Sequence, residues 1–310
     1  MSQTKAQIDK LLTEVSNGLF PKGYISEKVF PTLSVKQKTG LIGGYGNTHL
    51  RAVDDLIGGQ AKAKYVEPVD YKLTEQYQIF SHALAGIVTQ DDYDNVEQPF
   101  DAESDQTMGL THMILTNKEK SLADSLFSTS VITQNGLTGT KFDVYSSSDP
   151  LINFKNAQDA ILDGCGVSPN AAIMSRKVMN TLIYHPQILD VLGFKYNQVG
   201  LLSIEDLKRA LNVEELLVAD APYISSKEGQ SDTLAQIWGE SILMYVKPSS
   251  ASKYQISLGY HMKMNSRANR QVYKSSIDNP PNATQILVED SYSFKLVNTN
   301  AAFLIPNVLT

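Results

Sequence analysis

Residues 169–248 read PNAAIMSRKVMNTLIYHPQILDVLGFKYNQVGLLSIEDLKRALNVEELLVADAPYISSKEGQSDTLAQIWGESILMYVKP. The run Ala171–Met174 is apolar without a break and of strand length, which predicts a strand buried on both faces. Ser175 is placed to cap a helix reaching Val191, and Pro186 after His185 should kink or break it, because proline removes a hydrogen bond and clashes with the preceding turn. Ser203-Ile204-Glu205-Asp206 has the capping-box form and opens a helix to Leu211. Leu216–Ala219 and Ile237–Val246 read as strands on either side of a polar loop, Ser225–Asp232. Just upstream, Asp149-Pro150 pairs an N-cap with proline at the first helical position, leading into Leu151–Leu162, and Gly164-Cys165-Gly166 ends that helix.

Moving outward, Lys5–Ser16 carries Ile8, Leu11, Leu12 and Val15 at helical spacing, with Gly18 where a helix end favours glycine. Phe20–Gly59 has no sustained period, is rich in Gly, Pro, Thr and Lys, and reads as an extended arm with turns. In Val69–Ile79 apolar residues fall at 69, 71, 73, 77 and 79, the alternation of a strand, with a partner strand expected over His82–Val88. That hairpin lacks a core of its own, so its apolar face must find cover elsewhere, including on another subunit. Asp101–Ser128 carries Met108, His112, Leu115, Leu122 and Leu126 and should be the longest helix, capped by Asp101 or Ser104. Asn135-Gly136 and Gly139 mark turns. From Tyr254 the pattern is all strand, with Asn279-Pro280-Pro281-Asn282 as a loop tip. The class is α+β, with extended arms on a mixed core.

Composition narrows the function. The 310 residues are 42% hydrophobic and 19% charged, ordinary for globular chains. One cysteine, Cys165, cannot form an internal disulfide. No apolar run approaches the roughly 20 residues that span a bilayer, and the start lacks a secretory pattern, so the chain reads as soluble. The net charge of −6, with 27 basic and 33 acidic residues, argues against tight nucleic-acid binding, which draws on clustered cations. Lys263, Arg267, Arg270 and Lys274 are scattered and read as a solvated strand face.

Catalytic patterns are weak. Gly40–Gly46 lacks the ending of a phosphate loop and the spacing of a dinucleotide fingerprint, and reads as a turned arm. The five histidines, at 49, 82, 112, 185 and 261, have no metal-ligand spacing, and neither metal nor cofactor is expected. His112 reads as a partly buried packing residue and His185 as structural. Cys165 lies at a helix end, where no dipole lowers its pKa, and reads as a buried thiol. Carboxylate pairs occur at Asp91-Asp92, Asp54-Asp55 and Glu214-Glu215; the first two lie in turn-like or polar stretches, and nothing singles any of them out for acid–base work. No enzyme is expected.

The ordered set Asn170–Ser175, Val178–Pro186 with its His185-Pro186 dipeptide, Leu202–Leu207, Leu217–Ala221 and Ile237-Trp238-Gly239-Glu240 resembles the axial domain of tailed-phage major capsid proteins with the Hong Kong phage fold. The remainder fits that plan in order: residues 1–60 as an N-terminal arm, 61–98 as an extended hairpin loop, 99–148 as a peripheral domain with a long spine helix, 149–253 as the axial domain, and 254–310 as peripheral return strands. Some relatives carry a removable scaffolding segment at the N-terminus. Here the arm follows Met1 directly, so scaffolding is expected to be separate or dispensable. No lysine–asparagine cross-link site matches, and none is expected.

The resemblance implies a non-catalytic protein that assembles into hexamers and pentamers of an icosahedral head around double-stranded DNA touched non-specifically. Scaffolding, portal and decoration proteins are further partners, the virion is the location, and the host bacterial cytoplasm the place of assembly. Contacts between subunits are expected at Tyr71, Leu73, Tyr77 and Ile79, at Ser226, Lys227 and Glu228 near the capsomer centre, and at Pro280 and Pro281 nearer capsomer junctions. The alternatives are an encapsulin-type nanocompartment shell and, far behind, a cytosolic hydrolase using Cys165.

Overall fold

The computed structural model of the chain describes residues 7–45, 71–95, 101–192, 202–251, 255–267, 269–277 and 283–310, with single positions between 52 and 66. In chain order the first half contains β1 (Gln7–Ile8), α1 (Lys10–Gly18), α2 (Ser26–Val29), β2 (Thr32–Val35), β3 (Thr39–Tyr45), β4 (Tyr71–Gln78), β5 (Phe80–Val88), α3 (Gln90–Asn95) and α4 (Ala102–Leu126). Then come α5 (Pro150–Cys165), β6 (Ala171–Ser175), α6 (Arg176–Ile183), α7 (Pro186–Val191), α8 (Ile204–Leu211), β7 (Glu215–Ala219), β8 (Pro222–Ile224), β9 (Leu234–Gln236) and β10 (Ile242–Tyr245). The chain closes with β11 (Gly259–Met264), β12 (Gln271–Ile277), β13 (Ala283–Leu296) and β14 (Ala302–Ile305).

The stretch quoted first builds a four-stranded sheet, ordered β14-β10-β6-β7. Its central strands are apolar over Ala171–Met174 and Ile242–Tyr245 because both faces are covered. Ala172, Met174, Ile242 and Met244 face a core made with α5, α7 and α8, through Phe154, Ile161, Ile188 and Leu207. Ala171, Ile173, Leu243 and Tyr245 face a second core with Leu122 and Leu126 of α4, Phe30 and Trp238. Period-2 alternation sends neighbouring residues to opposite layers, so a strand covered on both faces shows no polar positions.

Local signals set the helix ends. Asp149 accepts from the N–H of Ile152, with Pro150 in the first turn, and Gly166 ends α5 in the left-handed region at φ 74°. Ser203 and Asp206 complete a capping box on α8. His185-Pro186 separates α6 from α7, and the His185 ring accepts from the N–H of Gln187.

The second layer is a six-stranded sheet in which β1, β12, β13, β11 and β2 run in order and β5 pairs with the other edge of β13. One face is covered by α1 and α4, with Leu12, Leu110 and Ile114 on Val272, Ile286 and Val288.

Several expectations are corrected. The first helix starts at Lys10, because Asp9 caps it by accepting from Leu12 N–H, and Ile8 instead pairs with Tyr273 in a strand. The expected hairpin between 69–79 and 82–88 does not form. Only Ile79 separates β4 from β5, too little chain to reverse direction, so β4 pairs back to β3 and β5 joins β13. The 40–46 glycine cluster accordingly lies largely in strand β3. The Phe20–Gly59 stretch is no free arm throughout, since Tyr24, Ile25, Val29 and Phe30 are core residues. Within Ile237–Val246 only Ile242–Tyr245 is strand, and the last strand, β14, crosses back to β10. His112 is exposed on α4, its ring edge-on to Tyr24.

Candidate assembly surfaces and the junction beneath them

Two elements project from the layers. The first is the β8–β9 hairpin, in which Pro222, Tyr223 and Ile224 pair with Gln236, Ala235 and Leu234. At its outer end Ile224 and Leu234 are directly opposite and 53% and 72% exposed, an apolar cross-strand pair left in water. The Tyr223 ring takes the Lys120 ammonium of α4 at 4.8 Å, which anchors the base. Ser226 is half-buried and its hydroxyl accepts from Thr233 N–H at 3.3 Å, whereas Lys227 and Glu228 are exposed on the tip, closed by Gln230 N–H to the Lys227 carbonyl. Ser226 therefore shapes the loop, and Lys227 and Glu228 are the two expected contacts that face outward. The sequence showed the polar loop but not this pair, whose exposure depends on what packs over it.

The second is the β3–β4 ribbon, whose far connection, 46–70, lies mostly outside the described residues. Tyr71 and Leu73 sit in β4, with Tyr71 paired to Tyr45. Tyr77 is half-buried, and its ring lies over Gly40, where a Cβ would come within 2.8 Å of it. Ile79 is only 4% exposed and packs inside its own chain with Tyr260 and Met262. A residue enclosed in this way has no surface to offer a neighbour, so within this fold Ile79 is a packing residue. Pro280 and Pro281 lie outside the described residues, beyond the Ile277–Ala283 pair that joins β12 to β13.

A buried charged junction in α4, which sequence reading missed, joins the root of the β8–β9 hairpin to the α2 turn that precedes β2 and the ribbon. Lys118 and Glu119 have no exposed surface. Glu119 accepts from the N–H groups of Ile25 and Ser26, each at 2.8 Å, and from the indole N–H of Trp238 at 2.7 Å. Lys118 pairs with Glu27 at 3.1 Å and Asp290 at 3.4 Å and lies 4.4 Å from the Tyr292 ring centroid. Burial alone would raise the Glu27 pKa, but Lys118 and Lys263 outweigh it and hold it below its ordinary value. The signal was available, since 118 and 119 fall three and four residues after Leu115 and before Leu122, on the buried stripe of the helix.

The cations expected on a solvated strand face are instead tied inside the chain. Lys263 reaches Glu27 at 3.6 Å, Arg267 reaches Glu289 at 2.8 Å and Lys274 reaches Glu103 at 2.5 Å. Arg270 is buried and donates to the Ser16 carbonyl at the end of α1. Three of the four are paired with carboxylates, while Arg267 and Lys274 keep 40% and 39% of their side chains exposed.

Among the described residues, catalytic geometry is not assembled around the sequence candidates. Cys165 is fully buried, its thiol donating weakly to the Val167 carbonyl, and burial pushes its pKa up, against nucleophilic use. Among the described residues no group of three His, Cys, Asp or Glu side chains could hold a metal ion, and no helix is long and apolar enough to cross a membrane. Asp91 and Asp92 lie in the first turn of α3, where Asp92 accepts from the Thr89 N–H and hydroxyl, both at 2.8 Å.

Comparison with known proteins places this architecture. No family model matches the chain. It is 23% identical over 274 residues, 83% of each chain, to the major capsid protein of Burkholderia phage BcepMu, and 24% identical over 77% of each chain to that of Pseudomonas phage JBD67. A crystal structure of a phage-related protein from Bordetella bronchiseptica RB50 superposes with a TM-score of 0.73 at 21% identity, covering 99% of this chain and 98% of that one. The capsid structure of Cyanophage P-SCSP1u superposes at 0.55 and 10% identity over 93% of this chain and 89% of the other. The chain has the phage capsid fold. An encapsulin of Synechococcus elongatus PCC 7942 shares the fold more distantly, at 0.50 and 10% identity over 98% of each chain.

Proposed function

We propose that this chain is a phage major capsid protein, a non-catalytic subunit that assembles into the hexamers and pentamers of an icosahedral head enclosing double-stranded DNA. The observation that carries this reading is the similarity, over most of the chain, to two proteins named major capsid protein. The architecture agrees with it, because two elements project from the packed layers and expose apolar residues that a lone subunit leaves in water. The sequence relatives are phage proteins, which favours a head over an encapsulin-type compartment. The hydrolase reading loses its nucleophile with the burial of Cys165.

In this reading Ile224 and Leu234 supply the apolar centre of a contact around the capsomer axis, with Lys227 and Glu228 beside them setting charge complementarity. The ribbon, through Tyr71, Leu73 and the exposed Leu41, lies on a neighbouring subunit, and Pro280 and Pro281 approach a second capsomer. Assembly takes place in the host cytoplasm with scaffolding, portal and decoration proteins as partners. The packaged DNA is contained by the shell and touched non-specifically.

The test is sedimentation of the purified protein and of the variant Ile224→Ser/Leu234→Ser. Both positions are exposed, so the variant should keep the circular dichroism and melting temperature of the parent while losing particles larger than a monomer. A variant that assembles as the parent does would remove the hairpin from the interface.

A further inference from the structure

A charged pair at the centre of a helix, with no surface in water, is costly unless every charge and every polar hydrogen is paired. In α4 that condition is met by Glu119 in a particular way. One carboxylate oxygen accepts from Ile25 N–H and from the Trp238 indole, the other from Ser26 N–H, all within 2.7–2.8 Å. The first two amides of the α2 turn have no carbonyl to meet within their own helix, so Glu119 serves as their cap from another element. Lys118 beside it holds Glu27 of the same turn at 3.1 Å.

What these donors belong to gives the pair its meaning. The α2 turn runs through Phe30 into β2, the edge strand that pairs with β11, and only then into β3, so residues 25–29 hold the segment that leads to the ribbon. Trp238 follows β9 directly, and its neighbour Ile237 donates its N–H to the Ala221 carbonyl, closing the root of the β8–β9 hairpin. A single carboxylate on the long helix therefore bonds both to the root of the β8–β9 hairpin and to the turn that leads, through β2, to the ribbon. Its neighbour Lys118 also ties in Asp290 of β13, which joins the six-stranded sheet to the same point.

We propose that Glu119 is a positioning residue that locks the α2 turn, from which the chain runs through β2 to the ribbon, to the root of the β8–β9 hairpin, so that the two assembly surfaces keep one relative angle and the shell closes at one curvature. This rests on the capsid reading for its consequence, though the lock itself belongs to the single subunit. An apolar side chain of the same size would leave three buried donors without an acceptor. A glutamine would aim its own N–H groups at them.

The test compares Glu119→Gln and Trp238→Phe with the parent and with Ile161→Val, a core change on the far face of the four-stranded sheet. Backbone hydrogen exchange is read on unassembled protein, and shell diameter by electron microscopy. In E119Q the amides of 25–29 and of 236–239 should both exchange at least about tenfold faster, with 171–175 and 242–245 unchanged. W238F removes only one donor and does not hydrogen-bond to Ile25 or Ser26, yet it should loosen 25–29 as well. Shells of both variants should spread in diameter or stay open, while I161V gives parental shells. Loosening confined to one of the two segments, or E119Q shells of parental diameter, overturns the proposal. If the parent forms no shells under any condition the capsid reading falls, and the exchange comparison still decides whether the two segments are locked. If E119Q does not fold, W238F carries the decision on both readouts.

Discussion

His261 has no exposed surface, its ring stacks on Phe294 at 4.8 Å, and neither ring nitrogen has a hydrogen-bond partner. Burial, then the nearby Lys118 and Lys263, push its pKa down to about 2. The unfolded chain protonates this ring near pH 6.5, so between about 2 and 6.5 the unfolded state binds a proton that the folded state refuses. Stability is therefore full above pH 6.5 and falls as the pH drops below it. His82 and His185, both lowered first by burial, add in the same direction. In urea unfolding at pH 7, 6 and 5, His261→Phe should show a shallower loss than the parent, by up to about 1.4 kcal/mol per pH unit below pH 6. Equal slopes would mean that the ring is protonated or open to water in the folded state. Cys165 gives a second reading at this scale. Its buried, raised-pKa thiol should resist iodoacetamide at pH 8 in the native protein and react once the chain is unfolded in guanidinium. Rapid modification of the native protein would place the thiol at a surface.

At the scale of elements, the parts that were legible are those whose chemistry is local. Asp149-Pro150, the Ser203–Asp206 box and the apolar run at 171–174 each carry their reason within a few residues, and each formed where expected. Ser203→Ala should cost about 1 kcal/mol in chemical denaturation, the ordinary loss of a cap. The ribbon was not legible, because β4 and β5 both alternate and are adjacent in sequence, while the true partner of β4 lies across the 46–70 connection. Tyr77 over Gly40 now explains that register. A Cβ at position 40 meets the Tyr77 ring at 2.8 Å, so Gly40→Ala must push the tyrosine aside. Exchange of the amides of 39–42 and 76–78 should quicken in that variant with the four-stranded sheet unchanged. Parental protection there would show that the ribbon does not depend on this contact. The scattered cations were misread for a related reason, since their partners Glu27, Glu103 and Glu289 lie elsewhere in the sequence or on a paired strand, and sequence spacing does not reveal them.

At the scale of the whole molecule, the order of elements carried the fold class, and the long helix served as the axis around which both layers pack. The surfaces proposed for assembly were only half legible. The polar loop before Trp238 was visible as a loop, but the exposure of Ile224 and Leu234 depends on nothing packing over them, which a sequence does not state. The central claim is that this subunit builds a closed shell, and cryo-electron microscopy of the purified protein, expressed alone and with its genomic neighbours, tests it most directly. Closed icosahedral particles or capsomer-sized rings, with the β8–β9 hairpins gathered at the capsomer axis, are the expected result. A protein that remains monomeric in every preparation, or particles whose contacts leave both the hairpin and the ribbon in solvent, would contradict it.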